Sequence, residues 1–139
     1  MRRFLCIGFI LFLIMVMTKD CGELTDQKTI SGIYLNNKEI FQTAVDTGDY
    51  SEVEKLEGIR DVTEHDDYIE FYCGGTGMGS NTNYYGILYS ELDVSLIAPT
   101  NGYTVTREGG VVRIEEDRGD NLFIYTSLGD GFWFYEEHY

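Results

Sequence analysis

Residues 67–91 read DYIEFYCGGTGMGSNTNYYGILYSE, and this stretch decides the fold. Apolar and polar side chains alternate over residues 68–73, and a second run with the same period covers residues 83–90. A period of two residues is typical of a half-buried strand, and the many aromatic side chains favour strands over helices. The stretch therefore predicts two antiparallel strands joined by a glycine-rich loop.

The predicted loop is rich in glycine between residues 74 and 79. Its spacing superficially matches a dinucleotide-binding fingerprint, but that motif requires a helix after the glycines, and here a strand follows. We interpret the loop as a long hairpin connection with a bulge, or as a rigid loop that offers backbone amides to a partner. The candidate contact surface combines the loop with the neighbouring tyrosines: Gly75, Gly77, Gly79, Tyr84 and Tyr85.

The composition is strongly acidic, with 24 Asp and Glu residues against 10 Lys and Arg residues in a chain of 139. A formal net charge of −14 repels nucleic acid and anionic lipid headgroups, so we exclude both as partners. The same charge is compatible with basic proteins and neutral polymers, and we predict an unknown protein or glycan partner. No motif in the sequence indicates a cofactor.

The first 20 residues have the pattern of a targeting segment. Arg2 and Arg3 form a short basic region, and residues 4–17 are all apolar or glycine. Those 14 residues are too few for a membrane-spanning helix, which needs about 20, and they fit a signal peptide. A signal anchor stays open, because no small-x-small cleavage motif follows. We predict a protein outside the cytoplasm, secreted or anchored to the outer face of the cytoplasmic membrane, with this segment as its only membrane contact.

Two cysteines, Cys21 and Cys73, follow the targeting segment. Cys21 has the position of a lipidated N-terminal cysteine, although residues 18–20 are polar or charged where small apolar residues are expected. A location outside the cytoplasm also permits a Cys21–Cys73 disulfide. Two free thiols are the third alternative.

The remainder of the chain is predicted to form a flexible tether over residues 21–31 and a single α+β domain over residues 32–139. A cap at Asn36 or Asn37 and apolar side chains three to four residues apart predict a helix over residues 37–44. Turn signals spaced 8–12 residues apart predict an antiparallel meander of about six strands. We expect the N-terminal helix to pack on one face of that sheet.

The residue types that are common in catalytic and metal-binding sites do not occur here in the sequence patterns that such sites require. Residues 64–67, Glu-His-Asp-Asp, hold metal-ligand atoms but have the composition of a solvated turn. Ser80 lacks the flanking glycines of a nucleophile elbow, and Cys73 would need a nearby histidine in an electropositive setting. Residues 118–120 spell Arg-Gly-Asp, which is ordinary turn chemistry. We therefore predict no catalytic residues and no metal ligands, and we rank a hydrolase below a binding protein.

Several aromatic and glycine motifs carry a resemblance over about the last two-thirds of the chain. They are Phe71-Tyr72-Cys73-Gly74-Gly75, Tyr84-Tyr85-Gly86, Tyr89-Ser90, Gly119-Asp120-Asn121 and Trp133-Phe134-Tyr135-Glu136. In these motifs the sequence resembles uncharacterised small extracytoplasmic, lipoprotein-like proteins of low-GC Gram-positive bacteria. The resemblance implies a location outside the cytoplasm and no particular activity. We predict a small secreted or membrane-tethered acidic binding or accessory protein; the alternative is an envelope structural or toxin-antagonist protein.

Overall fold

A computed structural model of the protein describes residues 24–79, 81–99 and 101–139. The predicted targeting segment and Cys21 lie outside these residues. Over the described part, the chain forms three helices: α1 Gln27–Asn36, α2 Lys38–Thr47 and α3 Val94–Ile97. It also forms seven strands: β1 Asp61–Glu64, β2 Ile69–Met78, β3 Asn81–Tyr89, β4 Tyr103–Glu108, β5 Val111–Glu116, β6 Leu122–Gly129 and β7 Phe132–His138.

All seven strands belong to one antiparallel sheet, in the order β1-β2-β3-β7-β6-β5-β4. The predicted α+β class with an antiparallel sheet is confirmed. The single meander of about six strands is wrong, because two meanders, β1-β2-β3 and β4-β5-β6-β7, meet where β3 pairs with β7. The chain reaches the far edge of the sheet through the segment that contains α3. Local turn signals cannot reveal such a crossing, because they report only which neighbouring strands reverse direction.

The helical region begins earlier than the sequence pattern indicates. Asp26 caps α1, since its Oδ2 accepts a hydrogen bond from the Thr29 N–H at 2.8 Å. The predicted tether over residues 21–31 is therefore wrong from Gln27 onward, and Ile30 of this helix is fully buried. The polar residues between the apolar ones of α1 obscure the helical period, and its short length weakens the signal further.

The first core lies between the two long helices and one face of the sheet. The ring of Tyr34 in α1 stacks on Phe132, with centroids 4.6 Å apart, and Phe41 in α2 meets Phe71 edge to face at 5.0 Å. Fully burying a side chain of this size contributes about 1.5–3 kcal/mol. The cluster also includes Ile30, Ala44, Val53, Ile59, Ile69, Cys73, Tyr85, Ile87 and Phe134.

A second core lies on the opposite face of the sheet, towards β4. It is formed by Leu88, Val94, Ala98, Val112, Ile114, Phe123, Tyr125 and Tyr135. The segment around α3 covers this face, because Val94 is fully buried and Ala98 nearly so. Strands β3 and β7 contribute to both cores, since neighbouring residues of a strand point to opposite faces.

The glycine-rich stretch is not a loop in the structure. Strand β2 continues to Met78 and pairs with Asn81 at the start of β3, so only Gly79 and residue 80 lie between the two strands. The register shifts once, between Tyr72 and Gly74. A Cβ at Gly77 would overlap the carbonyl of Asn81, so the glycines allow two backbones to approach closely. The expectation of a long connection is therefore corrected to a two-residue turn.

Candidate functional site

An open cleft of about 560 Å³ lies beside the tip of the β2–β3 hairpin. The tip forms one wall, while the end of β7 and the turn between β5 and β6 form the others. The lining residues are Gly77, Met78, Asn81, Asn83, Asp120, Leu122, His138 and Tyr139. The lining residues thus include ones with amide, carboxylate, imidazole and phenol side chains, beside a methionine that is 90% exposed.

His138 is held in place from both sides. Its Nδ1 lies 2.9 Å from Asn83 Oδ1, and its Nε2 lies 2.7 Å from Glu136 Oε1. The pairing of β3 with β7 brings these groups together, because Asn83 lies opposite His138 in the ladder. Both ring nitrogens thus have polar partners, and His138 forms part of the wall of the cleft.

The structure separates the two tyrosines of the predicted contact surface. Tyr84 is 39% exposed, and its ring lies 5.9 Å from Tyr139 and 6.2 Å from Tyr72. Tyr85 points to the opposite face, where it joins the first core and is only 8% exposed. Its side chain is therefore not available to a partner, although alternation along β3 is as the sequence indicates.

The three glycines of the predicted surface also differ in their positions. Gly77 lines the cleft, and Gly79 lies in the exposed turn next to it. Gly75 is buried within β2, where a Cβ would come within 2.6 Å of the Asn83 carbonyl oxygen. The glycines thus shape the hairpin from which Met78 and Asn81 project.

A network of tyrosines and glutamates lies beside the cleft, on the face of the sheet that carries the second core. Glu137 accepts hydrogen bonds from Tyr125 at 3.0 Å and from Tyr139 at 3.1 Å. Tyr135 donates to Glu70 at 2.5 Å. Burial raises the pKa of Glu137, the charge of Glu70 adds to the rise, and the two tyrosine hydroxyls oppose it. The network therefore holds Tyr139, a residue of the cleft, in a fixed position.

Sequence reasoning missed Asp120, His138, Tyr139 and Glu137. A usable signal was present, because Tyr135, Glu137 and Tyr139 occupy alternate positions and must share a face if the last strand continues to the C-terminus. The hydrogen bond from the Tyr139 N–H to the Thr82 carbonyl, 3.0 Å long, continues the contact with β3 beyond His138.

The other candidate groups do not converge. Cys73 is fully buried and has no disulfide partner among the described residues, and burial raises the pKa of its thiol to about 12, which disfavours a nucleophile at this position. Cys21 and Ser80 lie outside the described residues. His65 stacks on Tyr68, with ring centroids 4.2 Å apart, at the start of β2.

Within residues 24–79, 81–99 and 101–139, no group of three or more His, Cys, Asp or Glu side chains is arranged to hold a metal ion. In the same ranges, no helix has the length and apolar character needed to cross a membrane. Compared with protein-family models, with curated proteins and with solved structures, the chain gives no match.

Proposed function

We propose that the protein is a small acidic binding or accessory protein that acts outside the cytoplasm, secreted or held at the membrane by its N-terminal segment. Its contact surface is the hairpin-tip cleft, and its partner is a protein or a glycan. The observation that carries this proposal is the convergence of Asn81, Asp120 and Tyr139 beside the exposed Met78. Amide and carboxylate groups supply directional hydrogen bonds, and an aromatic ring supplies apolar area with a polar tip.

Binding is favoured over catalysis by the state of the reactive groups. Nucleophilic catalysis requires a nucleophile and a base within hydrogen-bond reach of each other. The thiol of Cys73 is buried in the first core, whereas His138 is already engaged by Asn83 and Glu136. The cleft offers polar groups for recognition without an activated nucleophile among its described residues.

The location outside the cytoplasm, a signal segment and a possible lipid at Cys21 are part of the same proposal. They rest on the basic start and the apolar run of residues 4–17. The resemblance to small lipoprotein-like proteins of low-GC Gram-positive bacteria points the same way. Intact mass of protein extracted from its host with detergent distinguishes a diacylglycerol-modified Cys21 from an unmodified chain.

Site-specific photo-crosslinking tests the position of the contact surface. A photoreactive phenylalanine analogue at Met78, in the cleft, is compared with the same analogue at Leu96, which is 69% exposed on the segment that crosses to β4. We expect a discrete adduct in host cells only from position 78, and its yield should fall when Asp120 is changed to alanine.

Glycan partners require a separate arm, because photo-crosslinks to sugars are easily missed. Binding of the parent chain and of the Asn81→Ala and Asp120→Ala variants to an array of neutral oligosaccharides would show a cleft-dependent signal. The proposal would be overturned if position 78 gave no adduct and the array no binding, or if positions 78 and 96 gave the same adducts.

A further inference from the structure

The two edges of the sheet differ in length and in charge. At one edge, β1 has only four residues and carries Asp61 and Glu64 at its ends. At the other, β4 has six residues and is uncharged from Tyr103 to Thr106. Charged residues and short strands are common protections against strand addition at an edge. The edge at β1 has both, whereas most of β4 has neither.

The pairing of β4 with β5 determines which residues of β4 direct their backbone N–H and C=O groups away from the sheet. In an antiparallel ladder, alternate residues direct their N–H and C=O groups to the same neighbour. The Asp117 N–H donates to the Gly102 carbonyl at 2.9 Å, and the register between β4 and β5 has no shift. The even-numbered residues of β4 therefore direct their N–H and C=O groups towards β5. Tyr103, Val105 and Arg107 therefore direct their N–H and C=O groups outward, where no strand of the described residues pairs with them.

The side chains on this edge are also suited to strand pairing. Val105 is 37% exposed, and threonines lie on both sides of it. Arg107 is held on its face by hydrogen bonds of 2.7 Å to Asp93 Oδ1 and to Ser95 Oγ. Branched side chains favour a pleated strand, so β4 is already in the conformation that a partner strand needs.

The charge around β4 differs from that of the rest of the molecule. Of the 10 bases and 24 acids in the chain, residues 1–23 hold three and two, and residues 103–118 hold three and four. The other residues keep four bases against eighteen acids. The β4–β5 hairpin is therefore close to neutral, and a second copy meets less repulsion there than it would from a surface with the average charge of this acidic molecule.

We propose that β4 pairs antiparallel with β4 of a second copy about a two-fold axis at Val105. In this register Val105 lies opposite the second copy's Val105, and Tyr103 lies opposite the second copy's Arg107. Both are pairs of outward-facing residues, so each pair exchanges two backbone hydrogen bonds. No like charges lie opposite each other, and the same surface serves both copies, as a two-fold interface requires.

The interface is small. A six-residue strand pair alone buries less than the roughly 1,200 Å² at the lower end of stable, specific interfaces. The dimer is accordingly weak and dependent on protein concentration, and the merged sheet has fourteen strands.

Cysteine crosslinking tests the register directly. Directly opposed residues that exchange hydrogen bonds have Cα atoms about 5.5 Å apart, which a disulfide spans. The full chain with Val105→Cys, in mild detergent under gentle oxidation, should give a disulfide-linked dimer well above the background of the parent chain. Thr63→Cys, on the β1 edge, should stay at that background. Equal yields from the two variants, or no yield from Val105→Cys, would overturn the proposal.

Sedimentation of lysine variants tests the interface without oxidation. Val105→Lys places two like charges across the axis and should abolish the concentration-dependent rise in mass. Thr63→Lys changes the net charge equally on the other edge and should leave that rise unchanged, and circular dichroism checks that both variants fold. A chain that is monomeric at every concentration, yet exchanges its Val105 and Arg107 amide hydrogens slowly, would refute the dimer and indicate another strand on this edge.

Discussion

Gly86 in the middle of β3 illustrates how one residue permits this strand to pack closely against both of its neighbours, β2 and β7. A Cβ at this position would overlap the Phe71 carbonyl oxygen and lie 2.7 Å from the Tyr135 ring. Tyr135 cannot move aside freely, because its hydroxyl is bound to Glu70. We expect Gly86→Ala to lower the free energy of unfolding by about 1–3 kcal/mol, the usual cost of overpacking a core.

Gly32 provides the matched control for this substitution. It lies within α1, and a Cβ there would have no heavy atom within 4 Å. Gly32→Ala should raise the free energy of unfolding by about 0.4–1 kcal/mol, since alanine has less freedom to lose from the unfolded chain. Urea unfolding of both variants measures the two signs, and a neutral Gly86→Ala would contradict the packing described for β3.

The buried carboxyl of Glu137 should make stability depend on pH. Because its pKa is raised in the folded protein, the folded state binds a proton more tightly than the unfolded state does. The resulting stabilisation is present below the unfolded value near 4.5 and is lost as the pH rises through the folded pKa. We expect Glu137→Gln, which cannot ionise, to gain stability relative to the parent chain across that window.

Urea unfolding at several pH values between 4 and 7 measures this difference. Glu108→Gln, an exposed change on β4 that removes the same formal charge, is the control for the loss of charge itself. A Glu137→Gln difference that is flat, or that falls as the pH rises, would show that the carboxyl is not disfavoured by its surroundings.

Asp93 holds the segment that connects β3 to β4 in place through two contacts. This carboxylate caps α3 by accepting from the Ser95 N–H at 2.9 Å, and it pairs with Arg107 of β4 at 2.7 Å. The Arg107 hydrogen bond, followed by those from Ser95, lowers the pKa of Asp93 to about 2. Its contribution to stability is present above pH 3.8 and is lost as the pH falls through about 2.

Asp93→Ala should destabilise the protein by about 0.5–1 kcal/mol at pH 7, because the ion pair is half exposed and screened by solvent. Glu52→Ala, which removes the exposed pair with Lys55 and caps nothing, should cost less. Thermal unfolding at pH 7 and at pH 2 compares the variants. The cost of Asp93→Ala should shrink at the lower pH, and an equal cost at both would exclude the charged form as its source.

The strands also show which parts of the fold could be predicted from the sequence and which could not. Alternation predicted strands over residues 68–73 and 83–90, and the structure pairs residues 69–72 with residues 86–89. The prediction of a loop over residues 74–78 was wrong. Glycine is common both in turns and where two backbones approach closely, so a glycine-rich sequence does not distinguish the two. In the cleft, Gly77 was predicted from its neighbours along the chain. Asp120 and His138 were not, because they reach the site from parts of the chain that are distant in sequence.

At the scale of the whole molecule, the pairing of β3 with β7 is the feature of the fold that no local sequence pattern predicts. It joins residues about 50 positions apart, such as Asn83 and His138, and turns two meanders into one sheet. Because side chains on β3 and β7 alternate between faces, Ile87 and Phe134 enter the first core while Leu88 and Tyr135 enter the second. If β3 and β7 separated, each core would lose part of the sheet surface on which it packs.

The two cores should therefore unfold in a single transition, and each has its own probe. Trp133 packs against the second core, and its fluorescence reports that face. Cys73 is fully buried in the first core, and a thiol reagent reports its exposure once Cys6 and Cys21 are replaced by serine. We expect the two probes to give the same urea midpoint, because the shared strands couple the two faces.

Substitutions confined to one core make this expectation sharper. Ile114→Val in the second core and Ile30→Val in the first each remove one buried methylene, at a cost of about 0.5–1.5 kcal/mol. Each variant should shift the fluorescence and thiol midpoints by the same amount. If Ile114→Val moved only the tryptophan signal, the β4–β5–β6 half would be a separate folding unit, and the β3–β7 pairing would be a docking contact between two units rather than the centre of one domain.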